Sequence, residues 1–100
     1  FTTDAAWQNA CAAIRAHDPQ CRGIVVLGLG STEDALAESF ARAARHDLVR
    51  GFAVGRTIHA EPGRAWLAGE IDAATAVDRM AATYARLCAA WDAARKGVTR

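Results

Sequence analysis

Two short apolar runs that do not alternate with polar residues constrain the fold of this chain most. They span residues 23–29 and 48–54, and each ends next to glycine and precedes a helical pattern. An apolar run without alternation is typical of a strand that is buried on both faces, as in a parallel sheet. Two such strand–helix units, joined by right-handed crossovers, predict an α/β architecture with a parallel sheet.

Helical periodicity and capping signals predict four helices around these strands. The first helix ends before Pro19, because the residue that precedes a proline is pushed away from helical geometry. The second opens at Ser31, which has capping-box spacing to Asp34. The predicted helices begin at Thr3 or Asp4, at Ser31, at Arg64 after Pro62 and Gly63, and near Asp72. The expected apolar face of the last helix, which runs to about Arg95, consists of Val77, Met80, Tyr84, Leu87, Cys88 and Trp91.

The composition excludes several classes of protein. With 52% hydrophobic and 23% charged residues, the chain can build a core, which argues against intrinsic disorder. A net charge of +1 provides no strong field for nucleic acid or an anionic membrane. The apolar runs are far shorter than the roughly 20 residues that a membrane-spanning helix needs. We therefore expect neither nucleic acid nor membrane as a partner.

The cysteines indicate the cellular compartment. Cys11, Cys21 and Cys88 are an odd number without C-x-x-C spacing, and they lie among apolar neighbours. This pattern favours reduced, buried thiols in a cytoplasmic protein over a disulfide framework. The three histidines form no ligand pattern with these cysteines, so we expect neither a metal nor a cofactor.

The loops that follow the two strands predict an anion-binding site. Carboxyl ends of parallel strands lie at one edge of a sheet, where α/β proteins place their sites. Glycine lets an anion approach the backbone, a helix start offers free N–H groups, and arginine can hold a phosphate bidentately. The candidate phosphate-binding residues are Gly28, Gly30, Ser31, Gly55, Arg56 and Thr57. The alternatives are an ordinary tight turn with a serine cap, and an Arg56 that pairs with Glu61 or another acid.

A short additional helix after the second strand favours one parallel architecture over another. Barrels of the (β/α)₈ type often bind phosphate with the loops after strands seven and eight and the start of such a helix. The final quarter of a barrel is therefore preferred to the end of a doubly wound sheet. Two parallel strands leave open edges and an uncovered face, so the chain is expected to be incomplete as a stand-alone domain.

Three segments carry a family resemblance beyond this pattern. Residues 18–29, 49–58 and 65–71 resemble the aldolase-like domain that follows the sugar kinase of bacterial myo-inositol catabolism, 5-dehydro-2-deoxygluconokinase. Residues 51–57, Gly-Phe-Ala-Val-Gly-Arg-Thr, also resemble the last barrel strand of class I tagatose-bisphosphate aldolases. Residues 1–100 are accordingly expected to be one piece of a TIM barrel, namely strands seven and eight with their helices.

The resemblance implies a reaction and a set of binding residues. The reaction is retro-aldol cleavage of 5-dehydro-2-deoxygluconate 6-phosphate into dihydroxyacetone phosphate and malonate semialdehyde through a lysine Schiff base, without metal. Gly28, Gly55, Arg56 and Thr57 fall where the substrate phosphate binds. The family pattern has an acidic residue where this chain has Gly30 and Ser31, and this departure favours backbone binding of the anion.

No set of residues for covalent catalysis is complete in this sequence. Lys96, the single lysine, falls in the polar tail, and the resemblance puts the Schiff-base lysine on a strand before Phe1. A chain that begins with Phe rather than Met indicates a cut from a longer protein, and N-terminal processing or trimming is the alternative. The chain alone is expected to be inactive. His59 is either an acid or base beside a bound phosphate or a rim residue.

Two other functions stay open at this point. The chain can be a non-catalytic partner of the kinase, which binds a sugar phosphate or stabilises an oligomer. It can also be a small module that assembles with its own copies, because a half-formed sheet favours association. The expected partners are therefore a phosphorylated sugar acid, the remainder of a barrel and further copies of the chain.

Overall fold

The computed structural model describes residues 1–97, which form an α/β fold with four helices and two parallel strands in an open sheet. The predicted order of helix, strand, helix, strand, helix, helix is confirmed. The predicted (β/α)₈ barrel goes beyond what these residues show, because residues 1–97 form only this open two-stranded sheet. The elements are α1 (Asp4–His17), β1 (Ile24–Leu27), α2 (Glu33–Ala43), β2 (Val49–Ala53), α3 (Arg56–Leu67) and α4 (Ala73–Lys96).

The two strands pair in parallel, with one irregularity near their amino-terminal ends. Ile24 lies opposite Val49, but Val25 lies opposite Gly51. Arg50 is therefore an extra residue in β2, which is the arrangement of a β-bulge. From there the register is regular, and Leu27 lies opposite Ala53. Because the strands are parallel, the loops after both of them begin at the same edge of the sheet.

One hydrophobic core joins three helices to one face of the sheet. Phe40 of α2 is fully buried and packs with its ring centroid 4.9 Å from that of Phe52 and 5.6 Å from that of Trp91. These aromatic contacts connect α2, β2 and α4, and burial of such rings is a large part of core stability. The buried cluster contains Trp7, Val26, Leu36, Phe40, Ala43, Ala44, Val49, Leu87 and Trp91.

The opposite face of the sheet is exposed, so the prediction that the first strand is buried on both faces is wrong for the described residues. Val25 and Leu27 point away from the core and are 48% and 59% exposed. The core helices pack on the face of Val26. Within residues 1–97 no element covers the other face, and the two strands have no third strand beside them.

Side-chain caps explain where three of the helices begin. The hydroxyl of Thr3 accepts a hydrogen bond from the Ala6 N–H at 3.1 Å, which confirms the first prediction. Asp72 caps α4, also as predicted, by accepting from the Thr75 N–H. At α2 the cap is Thr32, one residue later than predicted, and its hydroxyl accepts from the Ala35 N–H, while Ser31 closes the preceding turn on the Gly28 carbonyl.

The third helix is longer than its sequence predicts. It begins at Arg56, runs through Pro62 and ends at Leu67, whereas the expected helix begins only at Arg64. Proline removes one backbone donor and disfavours a helix interior. Pro62 and Ala65 are buried where α3 packs against α4, and this packing offsets the local cost.

The fourth helix has the predicted extent, but its buried face is rotated. Leu87 and Trp91 are buried as expected, while Val77 and Tyr84 are 62% and 54% exposed. The remaining buried positions are Ala76 and Thr83.

The cysteine prediction is confirmed in part. Cys11 is buried, Cys21 and Cys88 are half-buried, and all three thiols are free. Among the described residues, no helix combines the length and the hydrophobicity that crossing a membrane requires.

Candidate anion-binding site

The carboxyl edge of the sheet brings together the two loops that the sequence singles out. The Thr57 hydroxyl donates a hydrogen bond to the carbonyl oxygen of Ser31. The Arg56 guanidinium lies against Gly30, where an added β-carbon would be only 3.3 Å from the Arg56 Cζ atom. Four of the six candidate residues, Gly30, Ser31, Arg56 and Thr57, therefore lie in direct proximity.

The first loop is a tight turn that depends on its glycines. The Ser31 N–H donates to the Gly28 carbonyl at 3.0 Å, and Leu29 and Gly30 have φ angles of 52° and 77°. Positive φ at both central positions is typical of a type I′ turn. Gly28 is buried, and a β-carbon there would lie 3.1 Å from a methyl of Val54. Gly28 thus allows the segment after β1 to pack closely against Val54, which follows β2.

The start of α3 has free backbone donors. Its N-cap, Gly55, has no side chain to accept a hydrogen bond, and its carbonyl accepts from the N–H groups of Ile58 and His59. The N–H groups of Gly55, Arg56 and Thr57 have no acceptor among residues 1–97. Unpaired N–H groups and the helix dipole make such a helix start favourable for an anion.

The start of α2 differs from that of α3. The Thr32 hydroxyl accepts from the Ala35 N–H at 3.2 Å, and the first turn contains two acids, Glu33 and Asp34. Acidic side chains already balance the dipole at this end of α2. Of the two helix starts at this edge, α3 is therefore the more favourable position for an anion.

The acid that the sequence offers as an alternative partner of Arg56 is engaged elsewhere. Glu61 pairs with Arg64 at 2.6 Å, and this hydrogen bond holds the pKa of Glu61 below its usual value. Arg64 also contacts Glu70 at 3.0 Å. Arg56 forms no ion pair within the described part of the chain, so its guanidinium is available to a ligand.

Glu33 is the acidic residue of α2 that has a cationic partner. Arg86 of α4 donates to both of its carboxylate oxygens, at 2.8 and 3.2 Å. This contact lowers the pKa of Glu33, so the carboxylate stays ionised and paired at neutral pH.

His59 lies one turn into α3 and faces back toward Gly55. Its Nε2 atom is 3.4 Å from the position that a β-carbon on Gly55 would occupy. The imidazole is exposed and belongs to the same helix end as the free N–H groups. It can exchange a hydrogen bond or a proton with an oxyanion bound there.

Lys96 is remote from this edge. Arg95 donates hydrogen bonds to the carbonyl oxygens of Ala44 and Val49, which fixes the end of α4 beside the start of β2. Lys96 therefore lies near the opposite end of the sheet and contributes no amine to the candidate site. Within residues 1–97, no three His, Cys, Asp or Glu side chains are grouped so that they can hold a metal ion.

Comparison with known proteins supplies one relationship. No curated protein and no solved structure matches the chain. A family model described as an uncharacterized protein conserved in bacteria, DUF2090, matches residues 1–95. The match covers α1 to α4 almost completely, and the chain belongs to this DUF2090 family.

Proposed function

We propose that the carboxyl edge of the sheet binds the phosphate group of a phosphorylated sugar-type substrate. The observation that carries this proposal is the uncapped start of α3, where three N–H groups have no acceptor among residues 1–97 and lie beside an arginine that has no acidic partner in the same range. Thr57 joins this helix start to the glycine turn after β1 through the Ser31 carbonyl. Backbone donors and a guanidinium together are well suited to the oxygens of a phosphate.

In the full proposal, the protein that contains this chain is a class I aldolase that cleaves 5-dehydro-2-deoxygluconate 6-phosphate. This chain would form strands seven and eight of its (β/α)₈ barrel. The sequence resemblance to aldolase-like domains supports this form of the proposal. A lysine amine would condense with the substrate carbonyl and release water, and the resulting protonated imine would accept the electron pair when the carbon–carbon bond breaks. That lysine comes from outside this chain, because Lys96 is remote from the phosphate site.

Replacing Arg56 tests the phosphate site. Arg56→Gln should weaken binding of dihydroxyacetone phosphate roughly tenfold or more, because a charged hydrogen bond contributes about 1.5–3 kcal/mol. Calorimetric titration measures the change. Arg42→Gln, which removes an arginine of α2 that forms no ion pair with the described residues, is the control and should leave the affinity unchanged. Equal affinities of wild type and Arg56→Gln would reject the site.

Borohydride trapping tests the aldolase chemistry separately. The natural protein that contains this chain is incubated with dihydroxyacetone phosphate and borohydride, and the adduct is located by mass spectrometry. The proposal expects a permanent adduct on a lysine other than Lys96. If folded protein gives no adduct while Arg56 still affects phosphate binding, the second candidate gains support, namely a non-catalytic sugar-phosphate-binding module of a carbohydrate kinase.

A further inference from the structure

A second concave surface lies at the opposite end of the sheet, where both strands begin. It is an open cleft of about 670 Å³ between the end of α1, the α1–β1 connection and the start of β2. Three arginines line it, Arg15, Arg22 and Arg50. The four residues of β1, about 13 Å of extended chain, separate it from the carboxyl edge. This arginine cleft is therefore distinct from the phosphate site proposed above.

The backbone holds Arg50 in a defined position at this cleft. Arg50 is the extra residue of the bulge in β2, and bulges commonly redirect a side chain. Its aliphatic stem crosses Gly23, where a β-carbon would be only 2.3 Å from the Arg50 Cγ atom. Its Nε atom donates to the Arg22 carbonyl at 3.3 Å. The two terminal nitrogens have no hydrogen-bond acceptor among residues 1–97.

The three arginines lack acidic partners among residues 1–97, whereas three other arginines have them. Arg45, Arg64 and Arg86 each contact a carboxylate at 3.0 Å or less. In the described chain, neither Arg15, Arg22 nor Arg50 forms an ion pair.

The nearby acids do not neutralise these arginines. The Asp18 carboxylate accepts from the Gln20 N–H at 3.1 Å and thereby holds the connection that carries Arg22. Asp47 borders two adjoining grooves, one together with Arg50 and one together with Arg15, but within residues 1–97 it forms no ion pair with either arginine. Arg15 also balances the negative end of the α1 dipole. The cleft thus keeps a concentrated positive charge.

We propose that the arginine cleft binds a small polyanion that carries two or more phosphate groups. Three like charges that converge on one cleft repel one another, and a multivalent anion removes this repulsion. A guanidinium is planar and forms paired hydrogen bonds with phosphate oxygens. The volume of the cleft is within the range of small-molecule sites. This site is independent of the phosphate site at the carboxyl edge.

Titration with inorganic tripolyphosphate tests the proposal. Arg15→Gln and Arg22→Gln should each weaken its binding about three- to tenfold, because each removes one charged donor that is exposed to solvent. Neither side chain forms a hydrogen bond within residues 1–97, so these variants should fold normally. Inorganic monophosphate should bind the cleft more weakly than tripolyphosphate, and added salt should weaken both.

Two arginines outside the cleft serve as controls. Arg42→Gln lowers the net charge by the same amount, and Arg56→Gln removes the arginine of the carboxyl edge. Arg42→Gln should bind tripolyphosphate like wild type, and Arg56→Gln should keep the component of binding that Arg15→Gln and Arg22→Gln weaken. The proposal is overturned if tripolyphosphate shows no saturable binding, if Arg42→Gln weakens binding as much as Arg22→Gln, or if only Arg56→Gln weakens it. The last result would assign tripolyphosphate to the carboxyl edge.

Discussion

At position 23 the absence of a side chain determines how the start of the sheet is built. Gly23 precedes β1 directly, and the stem of Arg50 occupies the space beside its backbone. A β-carbon at this position would also lie 3.1 Å from the Leu48 carbonyl oxygen. The contacting atom of Arg50 is Cγ, which is close to the backbone. It therefore cannot move away by a rotamer change as easily as the end of a long side chain can.

Gly23→Ala should therefore destabilise the fold. Overpacking of this kind costs about 1–3 kcal/mol, and urea denaturation measures the loss. Gly51→Ala is the matched control, because its added β-carbon would meet no atom within 4 Å among residues 1–97, its chain neighbours aside, and β2 has an ordinary conformation there. The control should unfold at the wild-type urea concentration or slightly above it. Equal midpoints for the two variants would contradict the described packing of Arg50.

Single residues of the site differ in how far the sequence predicts them. Arg56 and Thr57 are predictable, because a buried run that ends in Gly-Arg-Thr places them at the carboxyl edge. The cap of α2 cannot be predicted from the sequence, because Ser31 and Thr32 are adjacent residues that both suit an N-cap. The helix uses Thr32, whose hydroxyl accepts from the Ala35 N–H. The free donors of α3 also depend on the helix starting at Arg56, which the sequence does not predict.

At the scale of elements, local signals predict the order well and the boundaries less well. The prediction of a short helix that begins only after Pro62 rests on the rule that proline disfavours helix interiors. The helix instead begins eight residues before the predicted start at Arg64, because burial of Pro62 and Ala65 against α4 is a tertiary contact that no local pattern contains. This longer α3 is what brings His59 to the candidate site.

The fourth helix shows why periodicity can give a helix but misplace its face. Its sequence is rich in alanine, so more than one stripe of residues is apolar enough to be buried. Large side chains indicate a face through Val77 and Tyr84, whereas the helix buries the small residues Ala76 and Thr83. Small residues allow close approach of a neighbouring helix. Their own hydrophobicity is low, so they contribute little to a pattern that is based on hydrophobicity.

At the scale of the whole molecule, the described fold is extended and has one uncovered sheet face. Its radius of gyration is 15.9 Å, against about 13 Å for a compact domain of this length. Val25, Leu27 and Leu29 are exposed on or beside the outer face of the sheet, and both strand edges are open within residues 1–97. Open edges and contiguous apolar surface favour association between chains.

We accordingly expect the isolated chain to self-associate with rising concentration. Sedimentation equilibrium should show a mass above that of the monomer, and Leu27→Lys should shift it back toward the monomer. The substitution places a charge on the outer face, where pairing would have to bury it. Because Leu27 is 59% exposed, the free energy of unfolding should change by less than about 0.5 kcal/mol.

A substitution of an exposed leucine on a helix serves as the control. It distinguishes association through the sheet face from association through any exposed apolar side chain. Leu67, the last residue of α3, is 80% exposed and lies outside the sheet. If the uncovered face drives association, Leu67→Lys should sediment like wild type, since it adds the same charge elsewhere. A wild-type chain that stays monomeric, or equal effects of the two substitutions, would show that the sheet face does not cause association. Dissociation by Leu27→Lys alone would locate the contact on the face that the core helices leave uncovered.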